Sequence, residues 1–95
     1  MTTLHIVRQS AFTTSDFAQC LQTVKDSDCI VFTDDGCYNL THPCIKQLSV
    51  QVELKAIIEH VNARAINLTN TKATTITMNE LVALTFQTDR VITWQ

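Results

Sequence analysis

Glycine and proline are almost absent from the sequence, since each occurs once, as Gly36 and Pro43. The phosphate-binding loops of nucleotide-binding proteins need several glycines at fixed spacing, because the backbone must approach the phosphates closely. A single glycine therefore excludes both the dinucleotide-binding fingerprint and the P-loop. The G-x-S-x-G turn of serine hydrolases is missing as well. No linker, repeat or low-complexity segment interrupts the chain, so residues 1–95 are predicted to form one domain.

Charge is also scarce, at 17% of the residues, and the net charge is −2. The Lys and Arg residues are scattered and form no basic stripe, so direct binding of nucleic acid is not expected. No apolar run reaches the roughly eighteen residues that span a membrane. The N-terminus lacks the basic region and apolar core of a signal peptide, which favours a cytoplasmic protein. So few charges on a small domain favour a surface covered by partner chains.

Short apolar runs alternate with amphipathic segments along the chain. Runs rich in β-branched residues predict strands at 3–9, 29–32, 49–57, 74–77 and 90–94. Helical spacing of apolar residues predicts helices over 15–25 and 79–86, with shorter helices on either side of Pro43 and over 59–65.

Strands that alternate with helices form mostly parallel sheets. The predicted fold is therefore an α/β fold, a three-layer α/β/α sandwich with a small, mostly parallel sheet of about five strands. Chemistry in such folds lies outside the carboxyl ends of the strands. Residues 9–12 and 34–37 follow two of the predicted strands, so they are the loops in which to look for a site.

The four cysteines are Cys20, Cys29, Cys37 and Cys44. No two of them form a C-x-x-C pair, which disfavours a thioredoxin-like dithiol and the usual zinc sites. A metal cluster of Cys37, His42 and Cys44 lacks the usual ligand spacing, so no metal or organic cofactor is expected. Disulfides are rare in a reducing compartment.

Two further polar features have ordinary structural interpretations. Asp34 and Asp35 are adjacent and precede Gly36, a pattern typical of a solvated turn. His5 alternates with apolar residues in a predicted strand, where a partly buried, hydrogen-bonded histidine is expected rather than a catalytic base.

Several segments, taken in order, resemble the DsrH/TusB family. LHIVRQSAF (4–12) is similar to the opening of the family, and FAQCLQ (17–22) to the helix that carries a cysteine in DsrH. IVFTDDGCY (30–38) resembles its apolar strand and D-G turn, while VNARAI and NELVALTFQTDRVITWQ resemble its later segments. The sequence departs from the family pattern at Ala11, which replaces a proline, and at Ala65, which replaces a glycine. The turn before Gly36 is one residue longer.

The resemblance implies a DsrE-like fold and a subunit of a cytoplasmic sulfur-relay complex. In the TusBCD branch, a TusB-like chain joins TusC-like and TusD-like subunits in a heterohexamer with two copies of each. That complex passes persulfide sulfur from a TusA-like donor toward a TusE-like acceptor, and the sulfur ends in 2-thiouridine at the tRNA wobble position. In the DsrEFH branch, a similar complex serves dissimilatory sulfur oxidation. The main sulfur-accepting cysteine of both lies on the D/E-type subunit.

Cys20 is the candidate persulfide carrier, because it matches the cysteine of DsrH. It lies about 60° from the centre of the apolar stripe of its predicted helix, where a half-exposed thiol is expected. Cys37 is a weaker rival at the carboxyl edge of the sheet. Cys29 begins a buried strand and is interpreted as packing, and Cys44 has no assigned role.

Four interpretations of function stay open from the sequence. The chain is a TusB-like subunit that carries sulfur, a purely structural subunit with an inert Cys20, or a DsrH subunit serving sulfur oxidation. The fourth, a stand-alone thiol-redox enzyme, is disfavoured by the missing C-x-x-C. Trp94 is expected either to anchor a sister subunit or to cover the core of its own domain.

Overall fold

A single parallel sheet organises the computed structural model, which describes residues 2–48, 51–68 and 71–94, apart from the side chain of Cys44. Every neighbouring strand pair is parallel, and the strand order is β4-β3-β2-β1-β5. The strands are β1 (Thr3–Val7), β2 (Cys29–Phe32), β3 (Glu53–Ile57), β4 (Thr74–Ile76) and β5 (Arg90–Trp94). The predicted α/β fold is confirmed.

The helices are α1 (Asp16–Thr23), α2 (Ile58–Ala63) and α3 (Met78–Gln87), with 3-10 helices at Asp34–Thr41 and Pro43–Gln47. The first helix ends two residues before its predicted end, because Val24 has an extended backbone. The strand predicted from residue 49 begins only at Glu53, and Val50 lies outside the described residues.

The helices divide unequally between the two faces of the sheet. From β1 to β4 the chain moves steadily across the sheet, and a right-handed crossover keeps each connection on one face. Helix α3 then leads back across the opposite face to β5, on the other side of β1. Among the described elements, one face is therefore covered by α1, α2 and both 3-10 helices, and the other by α3 alone.

Two buried clusters fill these layers. The larger cluster is Val7, Phe17, Cys20, Ile30, Phe32, Cys37, Leu40, Val52, Leu54, Ala56 and Val61. The smaller cluster is Leu4, Cys29, Val31, Ile57, Ile76 and Leu81, and it forms the contact between α3 and the sheet. No helix among the described residues has the length and apolar character needed to cross a bilayer.

Gly36 fixes how closely the first 3-10 helix approaches β1. Its N–H lies 3.1 Å from the carbonyl oxygen of Arg8 and 2.8 Å from that of Thr33. A Cβ atom at this position would collide with the backbone carbonyl of Val7. Glycine is required here because no side chain fits. Its small size allows the turn after β2 to pack directly against the end of β1.

Candidate functional site

The two loops singled out from the sequence meet at the carboxyl edge of the sheet, because β1 and β2 are neighbours with Val7 opposite Phe32. Asn39 joins them: its Nδ2 donates to the carbonyl oxygen of Gln9 at 3.0 Å, and its Oδ1 accepts from the Ala11 N–H at 2.7 Å. Asn39 is fully buried. Sequence reasoning missed it, since both of its partners lie about thirty residues away along the chain.

The acidic turn after β2 is solvated and paired with basic side chains. Arg8 Nε donates to Asp34 Oδ2 at 3.4 Å, and Arg64 Nε donates to Asp35 Oδ1 at 3.0 Å. Both carboxylates are substantially exposed. The two acids face separate partners rather than each other, so the predicted solvated turn is confirmed and no shared-proton carboxylate pair forms.

Helix α2 brings a histidine to this turn. The Asp34 N–H donates to Nδ1 of His60 at 2.9 Å, which leaves the ring proton on Nε2 when the ring is neutral. The Arg64 side chain also donates to the His60 carbonyl oxygen at 3.3 Å. His60 and Arg64 therefore belong to the carboxyl edge, although nothing in their sequence spacing connects them with residue 34.

Cys37 lies in the second turn of the first 3-10 helix and is fully buried. Its thiol donates to the Phe32 carbonyl oxygen at 3.5 Å. Burial raises the pKa of this thiol to about 11, although the charge of Arg64 acts in the opposite direction. Cys37 lies at the predicted edge, but its sulfur faces the core and stays protonated at neutral pH.

Cys20 is a fully buried residue of α1, so the expectation of a half-exposed thiol is wrong. The wheel angle was correct for an isolated helix, but residues from other elements close over that side of α1 in the larger cluster. Burial, together with the negative charge of Asp28, raises the pKa of this thiol to about 12. A nucleophilic thiolate is therefore disfavoured at Cys20.

Cys29, the third cysteine whose side chain is described, is buried as well. Cys29 packs in the smaller cluster as predicted, and burial raises the pKa of its thiol to about 11. Cys20, Cys29 and Cys37 form no disulfide. Within the described residues, no three His, Cys, Asp or Glu side chains lie close enough to hold a metal ion. The Cys44 side chain lies outside the description, and His42 packs edge-on against Phe12.

A buried polar network links the middle of β1 with the residue before β2 and the last residue of β5. Trp94 Nε1 donates to Nδ1 of His5 at 3.1 Å, so the ring carries its proton on Nε2 and donates to Asp28 at 2.9 Å. Asp28 also accepts from the N–H groups of Thr3 and Lys25. Both nitrogens of His5 are occupied, so the histidine serves as a structural link, as expected, and Trp94 covers its own core.

A family model described as DsrH like protein matches residues 9–91. The chain belongs to the DsrH-like family. At the level of the family, its members are subunits of multi-protein sulfur-relay complexes.

Solved structures show the same fold. The ychN protein from E. coli is 15% identical, with a TM-score of 0.82 over 99% of this chain and 100% of that one. Protein Tm0979 from Thermotoga maritima is 18% identical, with a TM-score of 0.64 over 88% of this chain and 92% of that one. No curated protein matches the sequence.

Proposed function

We propose that this DsrH-like chain is a TusB-type subunit of a sulfur-relay complex and acts as a structural member that does not itself carry sulfur. In this proposal it joins TusC-like and TusD-like subunits in the cytoplasm. The complex passes persulfide sulfur from a TusA-like donor toward a TusE-like acceptor for 2-thiouridine formation in tRNA.

The burial of the thiols carries the structural part of the proposal. A receiving thiolate attacks the outer sulfur of the donor persulfide, and the donor cysteine leaves as a thiolate, so no oxidant or reductant is consumed. Such a thiolate must be ionised and reachable by the donor protein. Cys20 and Cys37 have no exposed surface, and the pKa values of their thiols are raised to about 12 and 11.

The competing interpretation makes Cys20 a relay station. It requires α1 to open, and one observation favours that motion: the helix has eight residues, and Ser15 makes no side-chain capping bond to it. The thiol could then receive sulfur only in the open state of the helix.

A loading experiment separates these two roles. A persulfide-charged TusA-like donor is mixed with the complete complex, and the intact mass of each subunit is measured, with Cys20→Ala and Cys37→Ala as parallel samples. We expect one added sulfur atom on the TusD-like subunit and none on this chain in all three versions. Sulfur that appears on this chain and is lost only with Cys20→Ala would establish the relay role instead.

The pathway is tested separately in cells. Deletion of the gene is expected to remove 2-thiouridine from digested tRNA, and expression of the wild type or of Cys20→Ala is expected to restore it. Unchanged 2-thiouridine, together with loss of sulfur oxidation, would assign the chain to the DsrEFH-type branch.

A further inference from the structure

The ring of His60 faces two different groups of one residue, Asp34. The Asp34 N–H donates to Nδ1 of His60 at 2.9 Å. The Oδ1 atom of the Asp34 carboxylate lies 3.9 Å from the same nitrogen. A neutral ring accepts at Nδ1, whereas a cationic ring carries a proton on Nδ1 and donates there. The charge of the ring therefore decides which group of Asp34 the nitrogen binds.

The bond from the Asp34 backbone is incompatible with a protonated Nδ1, because the hydrogens of two donors would then point at each other. The carboxylate of Asp34 is the adjacent acceptor, and a charge-assisted hydrogen bond is stronger than a neutral one. Its other oxygen, Oδ2, accepts from Arg8 Nε at 3.4 Å. His60 and Arg8 therefore face different oxygens of the carboxylate, so the carboxylate has an oxygen for each of them.

Asp34 also has an unusual backbone conformation, with a φ of 50° in the left-handed region. A residue stays in this region only while the contacts around it hold it there. On either side, the Thr33 N–H donates to the carbonyl oxygen of Val7 at 3.0 Å, and the Gly36 N–H donates to that of Arg8 at 3.1 Å. Neither of these bonds involves the histidine ring. Release of the Asp34 N–H is therefore expected to change the turn locally and to leave both of its ends attached to β1.

The charged groups near the ring come from the first 3-10 helix and from α2. Arg64 Nε binds Asp35 Oδ1 at 3.0 Å, so that acid already has a partner of opposite charge. Asp34 is the acid within 4 Å of the ring among the described residues. The charged residues on the elements that surround the ring are Asp34, Asp35, Glu59, Arg64 and, through the Asp34 carboxylate, Arg8.

Strand β3 also packs against α2, but it directs its charged residues away from this side. Leu54 and Ala56 belong to the core cluster that includes Val61 of α2. Side chains alternate along a strand, so Glu53 and Lys55 lie on the opposite face of the sheet. The electrostatic partner of a protonated ring is therefore the carboxylate of Asp34.

We propose that His60 and Asp34 form a pH-dependent switch at the carboxyl edge of the sheet. With a neutral ring, the Asp34 N–H binds Nδ1 and the turn has the conformation described above. With a cationic ring, Nδ1–H donates to the Asp34 carboxylate, and the Asp34 N–H turns to solvent. The ring takes up one proton from solvent, and histidine changes charge between about pH 5 and pH 8. This inference does not depend on the sulfur pathway.

The experiment is a nuclear magnetic resonance titration of the full chain, labelled with ¹⁵N and ¹³C, from about pH 8 to about pH 5. The carbon-bound protons of the ring report the charge of His60. As the ring becomes charged, we expect the protection of the Asp34 amide against hydrogen exchange to fall at least about tenfold. The protection of the Gly36 amide should stay constant. The ¹³C signal of the Asp34 carboxylate is expected to move with the same midpoint as the ring.

Two histidine variants complete the test. His60→Gln retains an acceptor for the Asp34 N–H but does not titrate, so the Asp34 signals are expected to stay constant throughout. His42→Gln removes another histidine, which packs against Phe12, and should leave the switch intact.

Three results would each overturn the proposal. The first is a His60 ring that becomes charged while the amide and carboxylate signals of Asp34 stay unchanged. The second is a pH response of Asp34 that persists in His60→Gln. The third is a ring that stays neutral down to about pH 5. None of these results affects the sulfur-relay proposal, which the loading experiment tests separately.

Discussion

Ala65 has a φ of 52°, in the left-handed region where a side chain is strained. It directly follows Arg64, the C-cap residue of α2, and proteins usually place a glycine at this position after the C-cap. Ala65→Gly is expected to raise the free energy of unfolding by about 1 kcal/mol, because relief of the strain exceeds the added entropy of the unfolded chain. Urea denaturation measures the change.

The control for this prediction is Ala63→Gly in the last turn of α2, where the backbone is helical. There the same substitution is expected to lower stability by about 0.5–1 kcal/mol. Equal effects at both positions would contradict the assignment of strain to Ala65. The same strain explains why the family pattern has a glycine at the position that Ala65 occupies in this chain.

Asp28 is expected to make the protein sensitive to acid. Burial alone would raise the pKa of this carboxyl, but hydrogen bonds from His5 and from the N–H groups of Lys25 and Thr3 outweigh it and lower the pKa below 3.8. A lowered pKa contributes stability above the pKa of the unfolded chain, and this stability is lost as the pH falls through the folded value.

Thermal unfolding between about pH 7 and pH 2 tests the contribution of Asp28. Asp28→Asn is expected to cost about 2–3 kcal/mol at neutral pH, because the network loses its charged acceptor. Its stability should then depend less on pH in the acid range, so that the two curves approach each other. Asp26→Asn, at an exposed neighbour, serves as the control. Parallel curves for the wild type and Asp28→Asn would contradict this role.

At the scale of elements, the helices differ in how their first turns are stabilised. Thr77 and Glu80 form a reciprocal capping box at the start of α3, with bonds of 3.2 and 3.1 Å. At α1, Ser15 occupies the N-cap position without a side-chain bond, although Asp16 lies in the first turn.

Alanine substitutions at the two cap positions should therefore differ. Thr77→Ala is expected to lower the free energy of unfolding by about 1 kcal/mol, since it leaves a backbone donor of α3 without its acceptor. Ser15→Ala is expected to change stability by less than about 0.5 kcal/mol. Chemical denaturation of both variants, with hydrogen exchange of the first turns, measures the difference; a loss at Ser15 as large as at Thr77 would contradict the cap assignment.

The elements that could be predicted from the sequence are those with a local cause. Continuous apolar runs such as Cys29–Phe32 predicted buried parallel strands, and helical spacing predicted α3. The link between His5, Asp28 and Trp94 could not be predicted, because it joins residues up to 89 positions apart. The burial of Cys20 likewise depends on elements distant in sequence.

At the scale of the whole molecule, the described thiols should be protected together. In a Cys44→Ala background, we expect an alkylating reagent to modify Cys20, Cys29 and Cys37 at least about 100-fold more slowly in the native protein than in urea, since access requires opening of the core. Peptide mapping by mass spectrometry identifies each site. Rapid native modification of Cys20 alone would indicate local opening of α1 and support the relay interpretation.

The same buried thiols are expected to lower the free energy of unfolding in alkaline solution. Their pKa values in the folded chain are raised from 9.0 to about 11 or 12. The unfolded chain therefore releases thiol protons first as the pH rises, and stability decreases above about pH 9. Replacement of Cys20 by alanine should reduce this decrease, as measured by urea denaturation at increasing pH. An unchanged slope would contradict burial of this thiol.

The bond between Trp94 and His5 also provides an optical probe. Trp94 is the only tryptophan, and its ring lies nearly parallel to that of His5, with centroids 6.3 Å apart. The indole lies on the terminal strand, with its N–H bound to the histidine and its ring against the core. Its emission wavelength therefore reports whether β5 is seated on β1, without any added label.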